Sequence, residues 1–123
     1  MILVDTSIWI DHLHAAESQL VELLESASVV QHPMVVGELA VGVLSQRRLV
    51  LDSLNELPEL TAATHDEVMF FVDERQLFGR GLSLVDAHLL ASVTLTPQAR
   101  LWTRDKKLEA FAKQLGLAFA VEN

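Results

Sequence analysis

Four carboxylates in this chain stand where a solvated surface does not obviously want them. Asp5 follows directly on the apolar run of residues 1–4, which reads as a buried strand. It therefore comes to the carboxyl edge of a sheet, where open α/β sheets present their ligand-binding groups. Asp105 repeats the arrangement, after a strand predicted over residues 100–103 and before a helix predicted over 105–115. Glu38 lies within Met34-Val35-Val36-Gly37-Glu38-Leu39-Ala40-Val41-Gly42-Val43-Leu44, where every other residue is apolar or glycine. Its helical neighbours Met34, Val41 and Gly42 offer it no polar face. Asp86 enters a nearly all-apolar helix predicted over residues 83–95. Each has a structural reading too: Asp5 and Asp105 as helix caps, Asp86 in a capping box with Ser83, Glu38 in a salt bridge or at an exposed helix end. As a set, two acids at strand ends and two at the starts of inward-packing helices are predicted to meet at one sheet edge.

Convergent carboxylates have a characteristic chemistry. Two like charges about 4 Å apart repel by roughly 4 kcal/mol at an effective dielectric of about 20, so the set needs a cation or bound protons. Hard oxygen donors suit Mg²⁺, which takes a few carboxylates and fills its remaining positions with water and substrate phosphate. Such a cation lowers the pKa of a water and stabilises a phosphoryl transition state. Metal-dependent phosphodiester hydrolysis is the reaction that wants these residues, and it requires no histidine base. His88, two residues after Asp86 and about 200° around a helix, faces away from the acids. His12, His14, His32 and His65 show no ligand spacing on one helix face and receive no role.

The elements that must position the acids follow from the hydropathy pattern. Strands are expected over residues 1–4, 28–31, 60–63, 100–103 and 117–121. Helices are expected over 8–14, 17–26, 34–44, 49–57, 66–78, 83–95 and 105–115. Pro33 suits the first helical position, and Gly79-Arg80-Gly81 is a turn. Short apolar strands alternating with helices argue a parallel sheet covered on both faces, hence one α/β domain over residues 1–123.

Composition sets the outer limits. Half of the 123 residues are hydrophobic, enough to build a packed core and too many for a disordered chain. Cysteine is absent, which excludes disulfides, a thiolate nucleophile, iron–sulfur clusters and cysteine-ligated zinc. No apolar run reaches the roughly 20 residues of a membrane span, and no basic residue precedes Arg47, so neither a membrane anchor nor a secretory signal is expected. The expected address is the cytoplasm. Residues 1–74 hold 13 acidic and 2 basic side chains, whereas residues 75–123 hold 4 and 7, giving a net charge of −8. Bulk charge therefore opposes nucleic-acid binding, although cations are concentrated beside two of the four acids.

The pattern Asp5-Thr6-Ser7, Gly37-Glu38-Leu39, Leu84-Val85-Asp86-Ala87 and Trp102-Thr103-Arg104-Asp105 resembles the PIN domain, and more closely the VapC toxins of type II toxin–antitoxin pairs. The resemblance spans essentially the whole chain and includes the order and spacing of the acids. It implies a three-layer α/β/α fold with a central, mainly parallel sheet, and a Mg²⁺-dependent endoribonuclease in which Mn²⁺ substitutes. It also implies a homodimer and a VapB-like antitoxin whose C-terminal segment covers the acidic site. Carried over by position, Asp5, Glu38, Asp86 and Asp105 are the catalytic and metal-binding quartet, with Ser7 and Thr103 supporting them. RNA would be cut by water in line, leaving a 5′-phosphate and a 3′-hydroxyl. Arg80, Arg104, Lys106 and Lys107 are then expected to hold RNA phosphates. Asp11 is out of phase with Asp5 and is expected in solvent or paired with a base from the last segment. The competing expectation is a non-catalytic PIN-like module whose acids hold a structural ion. A phosphoacceptor receiver-like domain ranks last, because Asp5-Thr6-Ser7 lacks the paired acids it needs.

Overall fold

The first strand, β1 (Ile2–Val4), is buried at all three positions. Successive side chains of a strand point to opposite faces, so both faces of the sheet are covered, as expected of a parallel sheet. A computed structural model describes residues 1–121. Glu122 and Asn123, included in the expected single domain, lie outside the described residues. β1 lies between β2 (Val29–Val30) and β3 (Arg100–Trp102), parallel to both. The register pairs Ile2 with Val29 and Arg100, Leu3 with Val30 and Leu101, and Val4 with Trp102. All three carboxyl ends therefore open on one edge.

Seven helices surround this sheet among the described residues: α1 (Thr6–His14), α2 (Ser18–Glu25), α3 (Pro33–Val41), α4 (Arg47–Glu56), α5 (His65–Glu74), α6 (Leu84–Leu95) and α7 (Lys106–Gln114). Leu3, Ile8, Leu20, Leu89, Leu101 and Leu108 are completely buried and tie strands and helices into one core. Helix α6 is buried from Ala87 to Val93, the behaviour of a helix that is apolar all round. Pro33 opens α3 as anticipated, and Gly42 closes it three residues short of the predicted end at 44.

Two expected strands are not formed. Residues 60–63 contribute no strand; one parallel bridge joins Glu59 to Gln31, with the Leu60 N–H donating to the Gln31 carbonyl. The reason is competition for donors, because the Ala63 N–H is taken by Ser92 Oγ of α6 at 2.9 Å. Over residues 117–121, Ala118 forms a single bridge to Leu101. Pairing stops there because β3 ends at Trp102 and Thr103 turns away toward Asp5.

Candidate active site

Asp5 is the centre of the arrangement. Its backbone N–H donates to the Trp102 carbonyl at 2.9 Å, joining the ends of β1 and β3, and its side chain caps α1. Oδ1 accepts the Thr6 N–H at 2.8 Å, while Oδ2 accepts Ser7 Oγ at 3.1 Å and Thr103 Oγ1 at 2.7 Å. Three donors thus fix a carboxylate that is only 7% exposed. The cap role and the site role coincide, because the helix end that needs the cap begins at the sheet edge.

The corner between β3 and α7 supplies two more groups. Thr103, buried, donates to Asp5 and also accepts the Asp105 N–H at 3.0 Å. Asp105 is exposed and caps α7 by accepting the Leu108 N–H at 3.0 Å. Asp86 sits in a reciprocal capping box with Ser83, each side chain accepting the other's backbone N–H. Burial pushes the Asp86 carboxyl above its ordinary range, the Ser83 bonds oppose that shift, and the neighbouring Asp105 and Asp5 charges reinforce it. Those two charges report that Asp5, Asp86 and Asp105 share one electrostatic neighbourhood.

Glu38 reaches the group by a different route from the one its sequence suggests. The apolar run around it predicts an inward-facing carboxylate; the structure leaves Glu38 exposed, on a helix whose Val41 is 89% exposed. Helix α3 buries only Val35 and Leu39, so its apolar composition overstates its burial. What holds Glu38 is Thr6 Oγ1, donating to Oε1 at 2.7 Å. Thr6 thereby links Asp5, through its N–H, to Glu38, through its hydroxyl, a role no sequence feature announced.

None of the four carboxylates has a basic partner among the described residues. The ion pairs are Arg104 with Asp11 and with Glu17, both at 2.5 Å, and Lys113 with Glu109 at 3.1 Å. No three carboxylate or imidazole groups among the described residues form a ready-made metal cage. The chemistry of the donor set nonetheless suits a hard divalent cation: oxygen ligands only, and negative charge with no basic partner among the described residues.

The basic residues divide. Arg80 lies with its guanidinium 4.4 Å from the Phe111 ring centre, and the Lys107 chain runs so close to Gly81 that a Cβ there would meet Nζ at 2.5 Å. Lys106 opens α7 beside Asp105 and is exposed. Arg100 lies at the opposite, amino end of β3, bonded to the Ala99 carbonyl. Arg104, expected on phosphate, has its guanidinium on Asp11 and Glu17; the Asp11 pairing with the last segment thus occurs.

Two histidines accept backbone N–H groups, His32 and His12. His32 is 1% exposed and caps α3, its Nδ1 accepting the Met34 N–H at 3.0 Å. The proton therefore sits on Nε2, which donates to Ser92 Oγ at 3.0 Å, and Ser92 in turn donates to the His88 carbonyl. Burial, assisted by nearby His88, lowers the His32 pKa to about 4. Burial first and His65 second lower that of His88, whose ring lies 6.4 Å from His65. His12 accepts the Glu17 N–H at 3.1 Å.

The chain matches the PIN domain family over residues 2–114. It is 54% identical over 122 residues to Ribonuclease VapC32 of Mycobacterium tuberculosis, in strains CDC 1551 / Oshkosh and ATCC 25618 / H37Rv, with 99% of this chain and 98% of each relative covered.

Proposed function

The chain belongs to the PIN domain family, and from that premise we propose that it is a VapC-like toxin, a Mg²⁺-dependent endoribonuclease that also accepts Mn²⁺. Asp5, Glu38, Asp86 and Asp105 are its acidic quartet. The observation that carries this reading is the unpaired Asp5 carboxylate at the sheet edge, fixed by Thr6, Ser7 and Thr103, with Asp105 on the same Thr103 hydroxyl and no basic side chain paired to any of the four acids among the described residues. Two relatives named ribonuclease support RNA as the substrate.

When bound, the cation supplies positive charge against the phosphate and a lowered pKa for the attacking water. The remaining work falls to the chain. Ser7, Thr6 and Thr103 hold the Asp5 carboxylate in one orientation, so the ligand is preorganised rather than recruited. The Ser83 box fixes the rotamer of Asp86, and Thr6 fixes Glu38. Arg80, Lys106 and Lys107, free of ion pairs among the described residues, contact RNA phosphates. In the reaction the water oxygen bonds to phosphorus, the bond to the 3′-oxygen breaks, and that oxygen takes up a proton to leave as a hydroxyl.

The reading includes a single PIN-like domain over residues 1–123, a cytoplasmic setting, a homodimer and a VapB-like antitoxin covering the acids. No helix among the described residues is long and apolar enough to cross a membrane. The test is RNA cleavage by the purified chain with and without EDTA, beside Asp5→Asn. Loss of cleavage in both is expected, with 5′-phosphate ends in the active sample. Cleavage that survives both, or ends in cyclic phosphate, overturns the proposal; a protein that binds Mn²⁺ and cleaves no RNA favours the non-catalytic module.

A further inference from the structure

Arg104 stands between the two residues that build the β3–α7 corner, yet its side chain leaves that corner. The guanidinium bridges Asp11 in α1 and Glu17 at the cap of α2, 2.5 Å from each. Its backbone N–H points at Ser7 Oγ, 3.4 Å away. On one side of it Thr103 donates to Asp5; on the other Asp105 caps α7. A planar, five-donor fork can satisfy two carboxylates at once, which a lysine ammonium on its flexible stem does less well.

Resting on the acidic-site reading above, we propose that Arg104 is a positioning residue for the cation site and not a phosphate ligand. Its two ion pairs hold the corner of residues 103–105 against α1, which keeps Thr103 Oγ1 on Asp5 Oδ2 and so fixes the orientation of that carboxylate. The same pairs hold its positive charge on Asp11 and Glu17, where it does not neutralise the four carboxylates. Arg80, Lys106 and Lys107 make no ion pair among the described residues, so they bind a phosphate without breaking one. Arg104 has to break two.

Arg104→Gln separates the alternatives by sign. Long-range charge alone makes the variant bind cations more tightly, since a positive charge has gone. A lost phosphate ligand leaves cation binding alone and lowers the salt slope of RNA binding by about one unit. Loss of a positioning residue weakens cation binding and leaves RNA binding unchanged. The measurements are Mn²⁺ affinity by electron paramagnetic resonance without RNA, and anisotropy of a short fluorescein-labelled single-stranded RNA in EDTA over a salt series.

The expected result is an Mn²⁺ Kd raised about 3- to 10-fold with RNA affinity and salt slope unchanged, and a fall in kcat at constant KM. Arg104→Lys, which keeps the charge and loses the fork, falls between wild type and Arg104→Gln, and it carries the same test if the glutamine variant does not fold. Mn²⁺ binding that is unchanged or tighter, or a reduced salt slope, overturns the inference. A wild-type protein that binds no Mn²⁺ overturns the acidic-site reading and this inference with it, whereas equal binding by wild type and variant overturns the inference alone.

Discussion

Thr103 is the residue on which the site turns, because one hydroxyl serves two acids: it donates to Asp5 and accepts from the backbone of Asp105. Thr103→Val keeps the shape and removes both bonds. RNA cleavage (kcat/KM) should fall about 10- to 100-fold, as when other outer partners of metal ligands are lost, and Thr103→Ser should restore most of it. An undiminished valine variant would show that Asp5 needs no such support. His32 gives a second expectation, one of stability. Its pKa is about 4 in the folded chain against 6.5 unfolded, so the unfolded chain binds the extra proton between those values. His32 therefore carries no penalty above pH 6.5, and stability is lost as pH falls from 6.5 toward 4, by about 2–3 kcal/mol in all. Denaturant unfolding across that window should show this slope, and His32→Gln should flatten it; an unchanged slope would place the titration elsewhere.

At the scale of elements, helix starts and acidic groups are the same residues. Asp5 caps α1, Asp105 caps α7, and Asp86 closes the box at the start of α6. Ser83→Ala removes one half of that box and should cost about 1 kcal/mol, read as a lower urea midpoint at constant slope. No change in midpoint would mean that the buried body of α6, not its cap, sets its stability. This economy also explains what was legible in the chain. Strand–acid–helix is a local pattern, so the carboxyl-edge positions of Asp5 and Asp105 were readable from it. The strands expected over 60–63 and 117–121 were not formed, because whether an edge segment pairs depends on who claims its donors: Ser92 takes Ala63, and β3 ends after the Phe119 N–H has reached the Leu101 carbonyl, before residues 120–121 can follow it. Helix α3 was placed correctly and its Glu38 was not, since composition gives no direction when nearly every residue is apolar.

At the scale of the molecule, a net charge of −8 coexists with a sheet buried on both faces, and the acids at its carboxyl edge go unpaired. On the proposed reading a cation bound there prefers the folded chain and stabilises it. With Mg²⁺ or Mn²⁺ at ten times its Kd the gain is about 1.4 kcal/mol, measured as a higher melting midpoint than in NaCl of equal ionic strength and abolished by EDTA. Asp5→Asn should lose most of the increment. Equal midpoints in the two salts would mean that the charge acts only as a diffuse coat.

The local record of the chain determined the α/β class, the parallel sheet, the four acids in their order and the family likeness. Each is written in contiguous residues, where hydropathy period and helix caps leave their mark. The tertiary structure alone decided which atoms meet: Thr6 on Glu38, 32 residues away, Thr103 on Asp5, 98 away, and, outside the four acids, Arg104 on Glu17 as well as Asp11, 87 and 93 away. Hydrogen bonds and ion pairs act over a few ångströms in space, and separations that long are closed only when the sheet brings its strand ends together.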